Sequence, residues 1–210
     1  MAPLANSMAT KKLLGKREAV VVGIGGAGNN CVYRIGKSRP KGLRLLAVNT
    51  DKRMLEMLSK RIKTLLVGKS LLHGIGANGV PENGAQAAIK DSAAISRAIG
   101  RPSTVFLLAG LGGGTGTGAT PIIADIARKK GAMVNIVAIY PFTLERVRRA
   151  NAASALPLLA EGCDSLLIEQ NDTMVKLVPN KPMEEAFKRM DMRISRYMRE
   201  RISEQSKMAK

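Results

Sequence analysis

The chain has no tryptophan and only three tyrosines and three phenylalanines in 210 residues. So few aromatic rings exclude a platform on which single-stranded bases stack in series. Two cysteines, Cys31 and Cys163, and one histidine, His73, offer neither a disulfide framework nor a metal-ligand pattern. Both thiols are expected free and buried, and His73 solvated. No run approaches the roughly 18 apolar residues of a membrane span, and the opening MAPLANSMATKKLLGKRE lacks the apolar centre of a signal peptide. The expected location is a reducing cytoplasm, with no transmembrane segment. Acids are scarce as well: 16 Asp and Glu against 34 Lys and Arg leave a formal charge of +18. That excess attracts polyanions, whether nucleotide, nucleic acid, anionic lipid or acidic protein, without choosing among them. A plain basic surface accounts for it equally well.

What is present is a regular alternation. Residues 1–17 read as a flexible basic arm. Strands are expected at Ala19–Ile24, Arg44–Val48, Ile62–Val67, Thr104–Ala109, Val134–Ile139 and Ser165–Ile168. Helices are expected at Asn29–Gly36, Lys52–Ser59, Ala85–Ile99, Thr117–Lys130, Leu144–Leu159 and Met183–Ser206, with Pro157 ending the fifth early. Unbroken apolar strands alternating with helices predict an α/β fold: a Rossmann-like parallel sheet with helices on both faces and a long C-terminal helix. In such folds ligands bind outside the carboxyl ends of the strands, where the glycine loops fall.

The first loop, GIGGAGNN, places Gly23, Gly25 and Gly28 in G-x-G-x-x-G spacing after a strand, and Asp51 closes the next strand. Alone, this suggests an NAD-type oxidoreductase. The second loop, GGGTGTG from Gly112 to Gly118, again joins a strand to a helix. Its backbone N–H groups and the helix start favour an anion, and its threonines add hydroxyl donors. One diphosphate needs one cradle; two cradles on neighbouring strands suit a nucleotide gripped from both sides. Gly68-Lys69-Ser70 resembles the end of a P-loop, but Lys63 stands where the leading glycine belongs.

The sequence resembles the tubulin/FtsZ superfamily, whose signature is GGGTGTG. VVGIGGAGNN, AVNTD, GIGANGVPENG, AGLGGGTGTGATP, PFTLERVRR, QNDTM and EAFKRMD follow in family order from about Ala19 to Arg199. The resemblance implies the FtsZ GTPase domain and a GTP or GDP site, with Mg²⁺ accompanying the nucleotide. Gly25, Gly26, Ala27 and Asn29 then form the first phosphate-side loop, and Asn49 and Asp51 the second. Ala77, Asn78 and Gly79 lie near the γ-phosphate. Gly113, Gly114, Thr115, Gly116, Thr117 and Gly118 wrap the phosphates. Glu145 matches a ribose contact, Arg149 a sugar or base contact, Asn171 and Asp191 the guanine-reading positions, and Phe187 the residue stacked on the base. An Asp or Asn oxygen accepts from the guanine donor pair that adenine lacks. Plainer roles stand beside these: Asp51 as a helix cap, Phe187 as core, Arg149 as one more surface charge. Asn78 replaces a usual glycine, Gly79-Val80 a usual Ala-Asn, and Arg146 another glycine.

The resemblance further implies domains at 1–17 (arm), 18–182 (GTP-binding) and 183–210 (the family's central helix), with the second family domain absent. The acidic loop that activates water in this family follows that helix, so little or no GTP hydrolysis is expected of this chain alone and no catalytic residue is assigned. An FtsZ-type or tubulin-like subunit, or a second copy of the chain, would supply the loop. The last helix has an apolar stripe and a cationic face (Lys188, Arg189, Arg193, Arg196, Arg199, Arg201), expected to be solvated or to meet an acidic partner or anionic surface. A naturally single-domain relative is the expectation. The alternatives are a stand-alone GTP-dependent switch with a basic docking helix and, from another class, the NAD oxidoreductase.

Overall fold

The computed structural model describes residues 19–38 and 42–208; the basic arm expected at 1–17 lies outside them. In chain order the elements are β1 (Ala19–Ile24), α1 (Gly25–Lys37), β2 (Leu43–Asn49), α2 (Lys52–Glu56), β3 (Lys63–Leu66), α3 (Lys69–Leu72), α4 (Pro81–Lys90), α5 (Ser92–Ile99), β4 (Thr104–Gly110), α6 (Gly114–Lys129), β5 (Met133–Tyr140), α7 (Arg146–Glu161), β6 (Ser165–Gln170), α8 (Asn171–Lys176) and α9 (Met183–Met208). The six strands form one sheet in the order β3-β2-β1-β4-β5-β6, with every neighbouring pair parallel. This is the expected doubly wound arrangement. Its strand order reverses between β1 and β4, where a crevice opens at the carboxyl ends.

The central strands are buried on both faces, and their period of two divides the core. Val20, Val22, Val105, Leu107, Val134 and Ile136 face α4 to α7, meeting Ala87, Ile95, Ile123 and Leu159. Val21, Phe106, Leu108, Val137 and Ile139 face the other way, onto Val32 and Ile35 of α1 and Met190, Ile194, Met198 and Ile202 of α9. The apolar stripe of the last helix therefore closes the second core.

Several boundaries differ from expectation. Helix α1 starts at Gly25 rather than Asn29, and α6 at Gly114 rather than Thr117. In both, glycine that reads as loop forms the first helical turn because it lets two backbones meet. A Cβ on Gly28 would overlap the carbonyl of Leu108, and one on Gly118 the carbonyl of Pro81. The helix expected over Ala85–Ile99 begins at Pro81, placed at its first turn where its missing N–H costs nothing. It breaks at Asp91, whose carboxylate accepts from the Gly68 N–H at 2.6 Å. Pro157 does not end α7, which continues to Glu161. Pro157 and Ala153 are both exposed, so the carbonyl that loses its helical donor faces water. The short helices α3 and α8 had no periodic signal to announce them.

Candidate functional site

Two helices begin at the switch point without a side-chain cap. The residue before α1 is Ile24 and that before α6 is Gly113, and neither offers a capping oxygen. The first-turn N–H groups of both helices are therefore open donors at the positive ends of two helix dipoles. The two starts touch: a Cβ on Gly25, whose φ is +68°, would lie 2.9 Å from the Gly116 nitrogen. A Cβ on Gly113 would meet nothing within 4 Å. One glycine thus allows contact between helices, and the other leaves space over the loop.

That space is a cleft of about 390 Å³. Gly25, Gly26, Ala27, Asn49, Asp51, Ala77, Gly79, Gly113, Gly114, Thr115, Gly116, Glu145 and Asn171 all line it. Residues from six separate segments of sequence thus converge on one cavity. The polar wall is built before any ligand arrives. Asn49 Oδ1 accepts from the N–H groups of Thr50 at 2.9 Å and Asp51 at 3.3 Å. The Thr50 and Thr115 hydroxyls are 2.6 Å apart and buried, tying the second loop to the glycine loop. Asp51 lines the cleft and also caps α2, accepting from Arg53 N–H at 2.9 Å and Met54 N–H at 3.2 Å. Glu145 Oε2 accepts from Phe142 N–H at 2.9 Å, and Oε1 from Arg148 at 2.7 Å.

Other expected residues stand behind or beside the wall. The Thr117 hydroxyl accepts from Gly112 N–H at 2.8 Å and so shapes the loop from within, while Gly118 packs on α4. Asn78 holds φ +50°, a left-handed position that glycine adopts without strain, and is exposed at the rim. Arg149 is not among the residues lining the cleft: its guanidinium donates to the Pro141 carbonyl at 3.1 Å, lies 4.8 Å from the Tyr140 ring centroid and stands 3.7 Å from the Asp172 carboxylate. Asn29 is buried, and neither its side-chain nitrogen nor its oxygen has a protein partner. A polar side chain orphaned in this way, two residues from the cleft wall, leaves capacity for a ligand or water.

Asp191 and Phe187 sit on α9, outside the cleft lining. Arg34 donates to both Asp191 oxygens, at 2.6 and 2.9 Å, and its guanidinium lies 4.8 Å from the Phe187 ring centroid. The Cys31 thiol is 3.5 Å from the same carboxylate. Burial and then the Asp191 charge push this thiol far above its ordinary range. Cys163 is only half-buried. His73 is exposed, at φ +52°. Among the described residues no group of three or more His, Cys, Asp or Glu is placed to hold a metal, and no helix is long and apolar enough to cross a membrane. On α9, Lys188, Arg193 and Arg201 are each paired with a glutamate, Glu185, Glu169 and Glu204. Three of the six cations named on that face are therefore paired within the chain.

Sequence reasoning passed over Thr50, Arg34, Arg148 and Asn151. Thr50 lay inside the quoted AVNTD motif and so had a signal. The resemblance pointed to Arg149, whereas it is Arg148 that lines the cleft, and no pattern in the sequence marked it.

The Tubulin/FtsZ family, GTPase domain, matches residues 18–179. The chain belongs to the tubulin/FtsZ family. The cell division protein FtsZ 2 of Methanocaldococcus jannaschii is 40% identical over 181 residues, which is 86% of this chain and 47% of that protein. FtsZ 1 of Pyrococcus horikoshii is 42% identical over 172 residues, 81% of this chain and 46% of the relative. The chain spans about half the length of these relatives. The solved empty FtsZ dimer of M. jannaschii superposes with a TM-score of 0.78 at 37% identity, over 91% of this chain and 56% of that one. The GTPγS-bound CetZ2 protofilament of Haloferax volcanii gives 0.77 at 26% identity, over 90% and 59%.

Proposed function

We propose that this chain binds a guanosine nucleotide, GTP or its product GDP, in the cleft between β1 and β4, and works within a tubulin-type filament. The observation that carries the reading is the convergence of two uncapped helix starts on one open cleft. Few ligands other than a polyphosphate use so many backbone N–H donors from two sides. Gly113 leaves room for the phosphates, and Glu145 stands where a ribose hydroxyl can donate to it. Asn171, at the first position of α8, and the orphaned Asn29 supply amide groups at the cleft and just behind its wall. Asp191 keeps lone pairs beyond the two that Arg34 engages, and so can still accept from guanine. Magnesium would enter with the nucleotide, held mainly by phosphate oxygens and water rather than by a cage of side chains.

The nucleotide face is the natural contact for a second subunit, either another copy of this chain or an FtsZ-type protein. The relatives' names support this: one is a cell division protein and another was solved as a protofilament. Hydrolysis depends on an oriented water and on neutralised charge. The cleft wall offers backbone donors for the charge, and we propose that the acid orienting the water comes from the neighbouring subunit's loop.

Calorimetric titration of the 210-residue chain with GTP, GDP, ATP and NAD tests the reading. Micromolar or tighter GTP and GDP binding, with ATP at least tenfold weaker and no NAD binding, is the expected result. Equal affinity for ATP and GTP would overturn the guanine reading, and NAD binding would overturn the site.

A further inference from the structure

Arg148 is the only cationic residue lining the cleft among the described residues. No lysine stands there. The carboxylates on the same wall are Asp51 and Glu145, so a polyphosphate entering the cleft would find one side-chain cation and otherwise backbone dipoles. Arg148 lies in the first turn of α7, which also carries Arg146 and Arg149 and has no acid. Cations are disfavoured at a helix N-terminus, where the dipole is already positive. Within the chain they are offset in part, by Glu145 just before the helix at 2.7 Å from Arg148 and by Asp172 at 3.7 Å from Arg149, and a bound anion at this end would add to that. Arg149 has its own partners at Pro141, Tyr140 and Asp172, and of the three only Arg148 lines the cleft.

The backbone fixes where Arg148 stands along the cleft. A Cβ on Gly112 would lie 2.5 Å from the Arg148 carbonyl oxygen and 2.6 Å from its Cβ, so α7 is seated directly against the glycine loop. One turn on, the Asn151 side-chain amide reaches the Gly112 carbonyl at 3.4 Å and the Gly79 carbonyl at 3.5 Å. Arg148 therefore sits where the loop at residues 77–79 meets the glycine loop. Its guanidinium is parked on Glu145 at 2.7 Å, with the arginine side chain 63% exposed. A pair that exposed is weak and exchanges partners readily.

We propose that Arg148 is the cation for the terminal phosphate, delivered by partner exchange. The nucleotide's ribose hydroxyl engages Glu145, and the released guanidinium turns to the phosphate at the Gly79–Gly112 junction. This rests on the nucleotide reading above. A phosphate accepts two parallel guanidinium N–H bonds, a stronger match than the exposed carboxylate pair.

The test compares the full wild-type chain with R148Q and R148K, titrated with GTP, GDP and inorganic tripolyphosphate. Thermal melts without ligand check folding, and the exposure of Arg148 predicts unchanged midpoints. R148Q is expected to weaken GTP roughly tenfold to a hundredfold, the range for one charge-assisted bond, and GDP by less than about threefold. R148K should recover part of the loss. Unchanged GTP affinity in R148Q, or an equal loss for GTP and GDP, overturns the assignment. Should the wild type bind tripolyphosphate but show no affinity for GTP, and R148Q lose the tripolyphosphate, the guanosine reading fails and the role of Arg148 stands. If the wild type binds none of the three, both fail.

Discussion

Arg34 on α1 and Asp191 on α9 are joined by two parallel hydrogen bonds of 2.6 and 2.9 Å, across 157 residues of sequence. The pair is mostly buried, with 24% and 15% of the two side chains exposed. It pins the long helix α9 to α1, and it fixes the carboxylate expected to read guanine. Arg34 is held more firmly protonated than usual by its hydrogen bond to Asp191, even though burial alone would act the other way.

Removing one partner leaves the other charge largely uncompensated. D191A is expected to lose about 2–4 kcal/mol of stability, read from urea unfolding. D191N keeps the shape and one acceptor, should lose less stability, and should erase most of the preference for GTP over ATP. A D191N chain that still prefers GTP would remove Asp191 from guanine recognition.

Two glycines of the same loop should behave oppositely. G118A drives a methyl group into the Pro81 carbonyl, so it should destabilise by several kcal/mol or fail to fold. G113A places its methyl in open space. It should fold within about 0.5 kcal/mol of wild type yet weaken GTP at least about tenfold, because the methyl would take up the space proposed for the phosphates. Soluble yield, melting temperature and GTP affinity, measured on both variants, separate the two roles.

The buried Thr50–Thr115 hydroxyl pair gives a double-mutant cycle. T50V or T115V alone strands one hydroxyl away from water and should cost about 1–3 kcal/mol. T50V/T115V together removes both and should cost less than the sum of the singles. Strict additivity in urea unfolding would show that the two hydroxyls do not depend on each other.

Cys31 predicts an alkaline limit to stability. In the unfolded chain a thiol ionises near about 8.5. In the fold, burial and the Asp191 charge raise its pKa far above that. The folded state therefore retains a proton that the unfolded state releases. The stability contributed is complete below about pH 8.5 and falls above it by roughly 1.4 kcal/mol per pH unit. The difference in unfolding free energy between wild type and C31A, followed from pH 8 to 10.5, should shift against the wild type as pH rises. A constant difference would show that the thiol ionises alike in both states.

Much of this architecture was legible because strand signals are strong when both faces are buried. Ala19–Ile24 was placed residue for residue. Helix starts at Gly25 and Gly114 were not, because glycine carries no periodic signal and its purpose, close approach to Leu108 or Pro81, belongs to distant segments. The break at Asp91 was hidden for the same reason: its partner is the Gly68 N–H. The family resemblance singled out Gly25, Asn49, Asp51, Gly113, Glu145 and Asn171, and all six line one cleft. It pointed to Arg149 where Arg148 lines the cleft, since one residue of helical rotation decides which of the two does. Nor did it reveal that Thr117 and Gly118 support the loop from behind.

The all-parallel sheet has a kinetic consequence. No strand can pair with its sequence neighbour through a tight turn, and the central contact joins Ala19 of β1 to Thr104 of β4. Before that contact forms, β2, β3 and five helices must be held in a large closed loop, whose entropy is lost ahead of any return. Until then the apolar runs of β1 and β4 remain as unpaired edges. Newly made chains should therefore linger in an association-prone state, and a ligand that fastens α1 to α6 would shorten that interval by holding the last-formed seam closed.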